Sequence, residues 1–292
     1  MHTESSHSAG RKFRKAIKNE KPLQIVGAIN AYCAIQAEKA GFQALYLSGA
    51  GVSNYSLGAP DDGQTLNLDE IRIDARRILA KTTLPLLVDV DTGFDDLEGT
   101  VTTLCDLGVA GIHMEDQVPA KLCGHLPGKQ IVPKDEMAGR IKAALKGKTD
   151  PDFVVMARCD ALASEGLDGF IERATHYAQA GADMIFAEAM TDLDHYRQIK
   201  QAVDIPLLAN LTEFGKTRLY TCQELGKHGV DMALYPLSAV RGMAKAAQTI
   251  YTTIRRDGTQ AGAINMMQPR DALYETLQYD AQVDEAAPME RT

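Results

Sequence analysis

The residues with the most pronounced chemistry in this chain are Lys121-Leu122-Cys123-Gly124-His125, a thiol set between a primary amine and an imidazole. Neighbouring cations pull a thiol's pKa down and raise its thiolate fraction, so Cys123 is a candidate acid or nucleophile, with Lys121 and His125 as its activators. Gly124 lets the backbone approach a ligand, and the Gly128-Lys129-Gln130 continuation has the composition of a segment that closes over substrate. Taken alone, these residues read equally well as a polar loop that holds a cysteine.

A second constellation is acidic. Asp89 and Asp91 are two apart at the end of an apolar run, so on a strand both side chains leave the same face. Two such carboxylates repel each other unless a cation lies between them, and Mg²⁺ characteristically takes one or two carboxylates plus waters and substrate oxygens. Mn²⁺ is the alternative ion. In the purely structural reading, one aspartate caps the next helix and the other pairs with a base. Glu115, at the next strand end, is placed to reach the same cation through a water. The counterweight is Arg158, Arg241 and Arg270, whose guanidinium forks suit carboxylates. With Asn210, Thr212 and the backbone amides near Ser48, Gly49 and Ala50, they outline a pocket for a polyanionic small acid. Glu188 either orients the ligand or pairs with a neighbouring arginine. Among the histidines His125 is the one expected to act, and His113 is expected to point opposite Glu115 and pack outward.

Something must bring these residues to one place. Apolar runs at 23–30, 44–49, 85–91, 111–116, 153–160, 184–189, 206–211 and 231–236 alternate with amphipathic helical patterns such as LDEIRIDARRILAK and LDGFIERATHYAQAG. Near-continuous apolar runs are what parallel strands buried on both faces require. A local repeat of helix end, glycine and strand recurs at Gly41, Gly108, Gly181 and Gly229, where a left-handed residue would stop each helix. The pattern predicts a (β/α)8 barrel. A doubly wound sheet is disfavoured because no G-x-G-x-x-G follows the first strand. In such barrels the chemistry sits at the C-terminal strand ends, and the polar residues gather there: Tyr46 to Gly49, Asp89 and Asp91, Glu115 and Asp116, Arg158 to Asp160, Glu188, Asn210 to Thr212. The expected organisation is one barrel domain over 1–292, with a disordered tail at 1–10 and a helical extension at 259–292.

Composition narrows the partners. The chain has 292 residues, 45% of them hydrophobic, and a formal net charge of −8 with no basic stripe, which disfavours nucleic acid. No apolar run approaches the ~20 residues of a membrane helix, and the first residues lack the apolar core of a secretory signal. Five scattered cysteines without a C-x-x-C pair point to a reducing cytoplasm rather than a disulfide framework.

The segments VDVDTGF, HMEDQ, KLCGH, MARCDA, FAEAM, LANLTEFGKT and ALYPLSAVRGM occur in the order found in the isocitrate lyase/phosphoenolpyruvate mutase superfamily. The chain resembles that superfamily from about residue 11 to residue 279, and within it the lyases that act on 2-methylisocitrate. The resemblance implies Mg²⁺-assisted retro-Claisen cleavage of 2-methylisocitrate, a small tricarboxylate, to pyruvate and succinate in propionate catabolism by the methylcitrate cycle. Cleavage of isocitrate and decarboxylation of oxaloacetate are the alternatives within the superfamily, and a catalytically silent dicarboxylate-binding barrel is the alternative outside catalysis. By the same resemblance Asp89 and Asp91 hold the metal, Cys123 protonates the succinate-side carbanion and Tyr46 matches a base for the substrate hydroxyl. Ser48, Gly49, Ala50, Gly124, Arg158, Glu188, Asn210, Leu211, Thr212, Arg241 and Arg270 hold the substrate. Phe186, Leu234 and Pro236 match the pattern that leaves apolar room for an extra methyl. The resemblance also implies a homotetramer with the C-terminal helical segment swapped between subunits. Three departures stand out: FDDLEGTVTTLCDLG is about one turn shorter than usual, Cys159 replaces a threonine and Ala187 a proline.

Overall fold

The computed structural model describes residues 8–63, 65–120 and 128–279. All eight expected strands form: β1 (Leu23–Gly27), β2 (Ala44–Leu47), β3 (Leu86–Asp89), β4 (Gly111–Glu115), β5 (Val154–Cys159), β6 (Met184–Ala187), β7 (Leu207–Asn210) and β8 (Met232–Tyr235). Each pairs in parallel with its sequence neighbours, and β8 returns to β1, closing a barrel. The helices are α1 (Ala9–Asn19), α2 (Ala31–Lys39), a short α3 (Gly49–Gly51) that runs into a π turn, α4 (Leu68–Leu79), α5 (Leu97–Leu107), α6 (Lys134–Lys146), α7 (Leu162–Gln179), α8 (Leu193–Ala202), α9 (Cys222–Lys227), α10 (Ser238–Asp257) and α11 (Arg270–Leu277).

Strand alternation sorts the apolar residues into two cores. Leu23, Ile25, Ala44, Leu87, Val154, Met156, Met184, Phe186, Leu208, Met232 and Leu234 fill the barrel interior, where Phe13, Ala16 and Ile17 of α1 join them. Leu45, Leu47, Leu86, Val88, Ile112, Val155, Ile185 and Leu207 face outward and pack against the helices. The same alternation sends Tyr46, Asp89, His113, Glu115 and Arg158 inward.

The strands are shorter than the apolar runs suggested. Asp91, Asp116, Asp160 and Glu188 lie one or two residues past the last strand residue. At two of them the backbone amide bonds to a side chain, Asp91 N to Asp89 Oδ1 and Asp160 N to Asp116 Oδ1, while Asp116 N and Glu188 N still donate to carbonyls of β5. The four repeat glycines all adopt positive φ, between 82° and 106°. The shortened third segment is a complete helix, with Asp96 accepting from Gly99 N at its start and Gly108 ending it at φ 93°. At the β1–β8 seam, a Cβ on Gly27 would stand 1.8 Å from the Pro236 carbonyl oxygen, so only glycine fits there.

The chain divides into two compact units, Met1–Val240 and Arg241–Thr292. The boundary falls inside α10. The first helix begins at Ala9, with Ser8 capping it through Arg11 N. The second unit holds most of α10, a 3₁₀ turn at Ala261–Met266 and α11.

Phe13 is fully buried against the inner core. Phe13→Ala is expected to cost about 3–5 kcal/mol in denaturant unfolding, the range for deleting a buried aromatic side chain. It should leave turnover by the surviving folded protein unchanged.

Candidate active site

Parallel pairing brings the inward polar residues of neighbouring strands side by side. Glu115 and Arg158 are register partners, as are Asp89 and His113, and Arg158 and Phe186. The ion pair between Glu115 Oε2 and Arg158 Nη1, at 3.2 Å, therefore follows from the barrel's stagger. On its other edge Arg158 donates from Nε and Nη2 to the two oxygens of Asp160, at 2.8 and 3.2 Å. Glu188 Oε2 lies 3.8 Å from Nε. Three of the five guanidinium N–H groups are engaged by these hydrogen-bonding and ion-pair contacts, leaving two for a ligand. Burial works against the charge on Arg158, but Asp160, Glu115 and Glu188 more than offset it and raise its pKa well above the usual arginine value.

From Glu188 the contacts run to β7: Asn210 Nδ2 donates to Glu188 Oε2 at 3.1 Å, and Thr212 Oγ1 donates to Asn210 Oδ1 at 3.1 Å. In the other direction the Arg158 guanidinium lies over the Phe186 ring, 5.4 Å from its centroid, and Phe186 packs against His113. The His113 ring stacks on Tyr46, and its Nε2 is 2.8 Å from Tyr46 Oη. Asp89 Oδ2 accepts from Gly49 N at 3.0 Å and from Tyr46 Oη at 3.3 Å. Burial first and Asp89 second push the Tyr46 pKa well above the ordinary phenol value, so this phenol holds its proton.

Asp91 sits beyond the strand with φ 50°, so the simple same-face argument does not describe it. It nevertheless converges with Asp89: a Cβ on Gly49 would stand 3.1 Å from both Asp89 Oδ2 and Asp91 Oδ1. The absence of a side chain at Gly49 leaves a cradle between two buried carboxylates. Among the described residues no group of three or more His, Cys, Asp or Glu forms a metal cage. A two-carboxylate donor set suits a hard cation that keeps waters and takes substrate oxygens, and it does not suit a closed structural zinc site.

The structure thus brings Tyr46, Ser48, Gly49, Asp89, Arg158, Glu188, Asn210 and Thr212 into one run of contacts, with Asp91 beside it. Ser48 caps α3 through Gly51 N, and Ala50 follows in that first turn. The Leu211 side chain is buried in the outer core, between sheet and helices. Lys121, Cys123, Gly124 and His125 lie outside the described residues. Arg241 and Arg270 belong to the second unit, on α10 and at the start of α11, and their assignment to substrate rests on the resemblance alone.

His113 corrects the sequence reading. It is fully buried and points into the barrel. Residues i and i+2 of a strand share a face, so His113 had to accompany Glu115, and this spacing was the signal that could have found it. Missed altogether was a buried layer behind the sheet. Asp116 Oδ2 accepts from Tyr177 Oη at 2.7 Å and lies 3.5 Å from Arg173 Nη1, while Arg173 also pairs with Glu165. Arg173 and Tyr177 are four apart on α7, the spacing of one helical face. Cys159 belongs to this outer layer, where burial and then Asp116 push its thiol pKa well up and leave it inert.

The model of the phosphoenolpyruvate phosphomutase family matches residues 13–255. The 2-methylisocitrate lyase of Escherichia coli (strain K12) is 54% identical over 279 residues, 94% of each chain. That of Bacillus subtilis (strain 168) is 43% identical over 274 residues, 93% of this chain and 89% of the other. The crystal structure of 2,3-dimethylmalate lyase, a PEP mutase/isocitrate lyase superfamily member, superposes with TM-score 0.85 at 30% identity, covering 95% of this chain and 96% of that one. A phosphonopyruvate hydrolase in complex with oxalate and Mg²⁺ superposes with TM-score 0.79 at 25% identity, covering 93% and 95%.

The geometry around Arg158 separates charge from shape. Arg158→Met would leave Glu115, Asp160 and Glu188 without their shared cation. It is expected to destabilise the fold by about 3–5 kcal/mol in denaturant titration, as loss of one partner of a buried pair does. Arg158→Lys should retain most of that stability while weakening dicarboxylate binding at least about tenfold in calorimetry, because an ammonium lacks the fork.

Proposed function

This chain belongs to the phosphoenolpyruvate phosphomutase family, and on that premise we propose that it is a carbon–carbon lyase cleaving 2-methylisocitrate to pyruvate and succinate. The observation that carries the reading is the joining of a two-carboxylate cradle to Arg158 at one barrel mouth, through His113, Tyr46 and Phe186. Family membership implies dependence on a divalent metal, and we take the metal to be Mg²⁺, with Mn²⁺ as substitute. Asp89 and Asp91 would hold it, where it lowers the substrate hydroxyl pKa and neutralises charge at the pyruvate end.

The chain's own residues account for the rest. Backbone amides at Ser48 and Ala50, with Arg158, Glu188, Asn210 and Thr212, bind and orient the carboxylates, while the Gly49 amide holds Asp89. Tyr46 cannot act as a standing phenolate, because burial keeps it protonated. It serves as a relay: its hydroxyl proton, aimed at Asp89 Oδ2 at rest, turns to His113 Nε2 2.8 Å away, in the tautomer that leaves Nε2 free to accept, as Tyr46 Oη takes up the substrate hydroxyl proton. As the C–C bond breaks, its electron pair moves to the succinate-side carbon and spreads into the adjoining carboxylate. Arg158 and the amides stabilise that charge. The Cys123 thiol then delivers a proton to the carbon, completing succinate. Phe186, Leu234 and Pro236 are all buried, and they form the apolar side of the site that takes the extra methyl. One methyl contributes only about 1–3 kcal/mol of discrimination, so some isocitrate turnover is expected. The shortened third segment still forms a complete, capped α5 and so lends no support to a silent barrel.

The assembly is part of the proposal. Met243, Tyr251, Ile254, Ile264, Met266 and Leu277 are exposed on the second unit, which suits packing of that segment on another copy within a homotetramer. No helix among the described residues is long and apolar enough to cross a membrane, and we place the enzyme in the cytoplasm on its scattered cysteines.

Purified protein with 2-methylisocitrate and Mg²⁺ should release pyruvate, and EDTA should abolish the release; no pyruvate above background overturns the reading. kcat/KM should be higher for this acid than for isocitrate or oxaloacetate. Cys123→Ser should fold and bind succinate yet lose most turnover, and near-native rates would remove the thiol from the mechanism. Sedimentation should report four chains.

A further inference from the structure

Asp160 holds two N–H groups of Arg158, and something must in turn hold Asp160. Its Oδ1 accepts a third partner, the Lys129 ammonium at 2.8 Å, and a fourth, Gln117 Nε2 at 3.4 Å. The Lys129 side chain is 5% exposed and that of Asp160 0%, so this is a buried ion pair and not a surface contact. Burial pushes the Asp160 carboxyl up, but Arg158 and Lys129 together hold it below its ordinary value.

Lys129 is also fixed from its own side. It lies on the return arm of the excursion that leaves β4. That arm is tied to the outgoing one by the Gln117–Ile131 bridge and by Val118 N donating to the Gln130 carbonyl at 3.0 Å. The Arg140 guanidinium clamps the outgoing arm by the carbonyls of Glu115 and Gln117, at 3.1 and 2.9 Å. None of these contacts involves residues 121–127.

We propose that Lys129 is a positioning residue for Arg158, acting through Asp160. With Lys129 in place, the Asp160 charge is matched by two cations, and Arg158 is less fully committed to its carboxylate neighbours. The guanidinium then has charge and donors to spend on the substrate carboxylate. The link also ties the described return arm, through Lys129, to the residue that receives the substrate.

The kinetic arm of the test rests on the lyase reading, and a spectroscopic arm does not. Lys129→Met keeps the aliphatic stem and is expected to raise KM for 2-methylisocitrate about tenfold, the equivalent of 1.4 kcal/mol, with kcat within about threefold. Lys129→Arg should bring KM back towards the native value. In the Asp160→Asn background the same Met substitution should change KM no further, as two residues acting through one contact require. Independently, the ¹⁵N signal of the Arg158 Nε–H, assigned by its loss in Arg158→Lys, should exchange about tenfold more slowly in Lys129→Met, because the guanidinium is then bound more tightly by Asp160. Lys129→Gln, which keeps a donor without the charge, replaces Met if the latter does not fold. Native KM together with native Nε–H exchange overturns the proposal. So does a loss of kcat and Tm, at unchanged KM, that arginine fails to restore. If the native protein itself releases no pyruvate, the lyase reading fails and the Nε–H exchange alone decides the role of Lys129.

Discussion

The mouth of this barrel depends on one arginine placed among carboxylates that water cannot reach. Glu115, Asp160 and Glu188 all lie within 4 Å of the Arg158 guanidinium and are almost fully buried. At such distances each attraction is about 4 kcal/mol for an effective dielectric near 20, comparable with the several kcal/mol that removing an ion from water costs. The cluster is stable only because the geometry is good on every side. Bidentate contact to Asp160, a register partner in Glu115 and the Phe186 ring beneath leave the guanidinium little freedom. A group so held is preorganised for a substrate carboxylate, which is where electrostatic catalysis gains most.

That geometry is supported through the sheet. The Asp160 amide donates to Asp116, whose other oxygen accepts from Tyr177 on α7, and Arg173 beside it reaches the Val132 carbonyl. A helix packed outside the barrel thus helps fix a carboxylate inside it. The outer core and the site are parts of one buried polar network, and such networks are stable only when every member has its partner.

On the opposite wall, Asp89, Tyr46 and His113 form a tighter group. The Gly49 amide and the Tyr46 hydroxyl both donate to Asp89, while Asp91 reaches the same cradle from a left-handed turn. Glycine at position 49 serves both purposes, a free amide aimed at the carboxylate and an empty volume where a side chain would stand. The aromatic run from Tyr46 through His113 to Phe186 connects this wall to Arg158, so the cradle and the guanidinium share their neighbours.

Much of this was already contained in the order of residues. Eight apolar runs separated by amphipathic segments and helix-stopping glycines determine a parallel closed barrel, because strands buried on both faces and linked by helices have few other solutions. Polar residues collected at the strand ends located the mouth, and residue type alone marked Asp89, Asp91 and Arg158. What tertiary structure decided was partnership. The inward face of His113 was implied by its i, i+2 relation to Glu115, but its partners Tyr46, Asp89 and Phe186 came only with the closed barrel. Asp160 became the keeper of Arg158, and Lys129 the keeper of Asp160, because the stagger of β4 against β5 and the paired arms after β4 bring together residues 31 apart in the chain. Pairings of that kind depend on three-dimensional distance, which neither composition nor local spacing encodes.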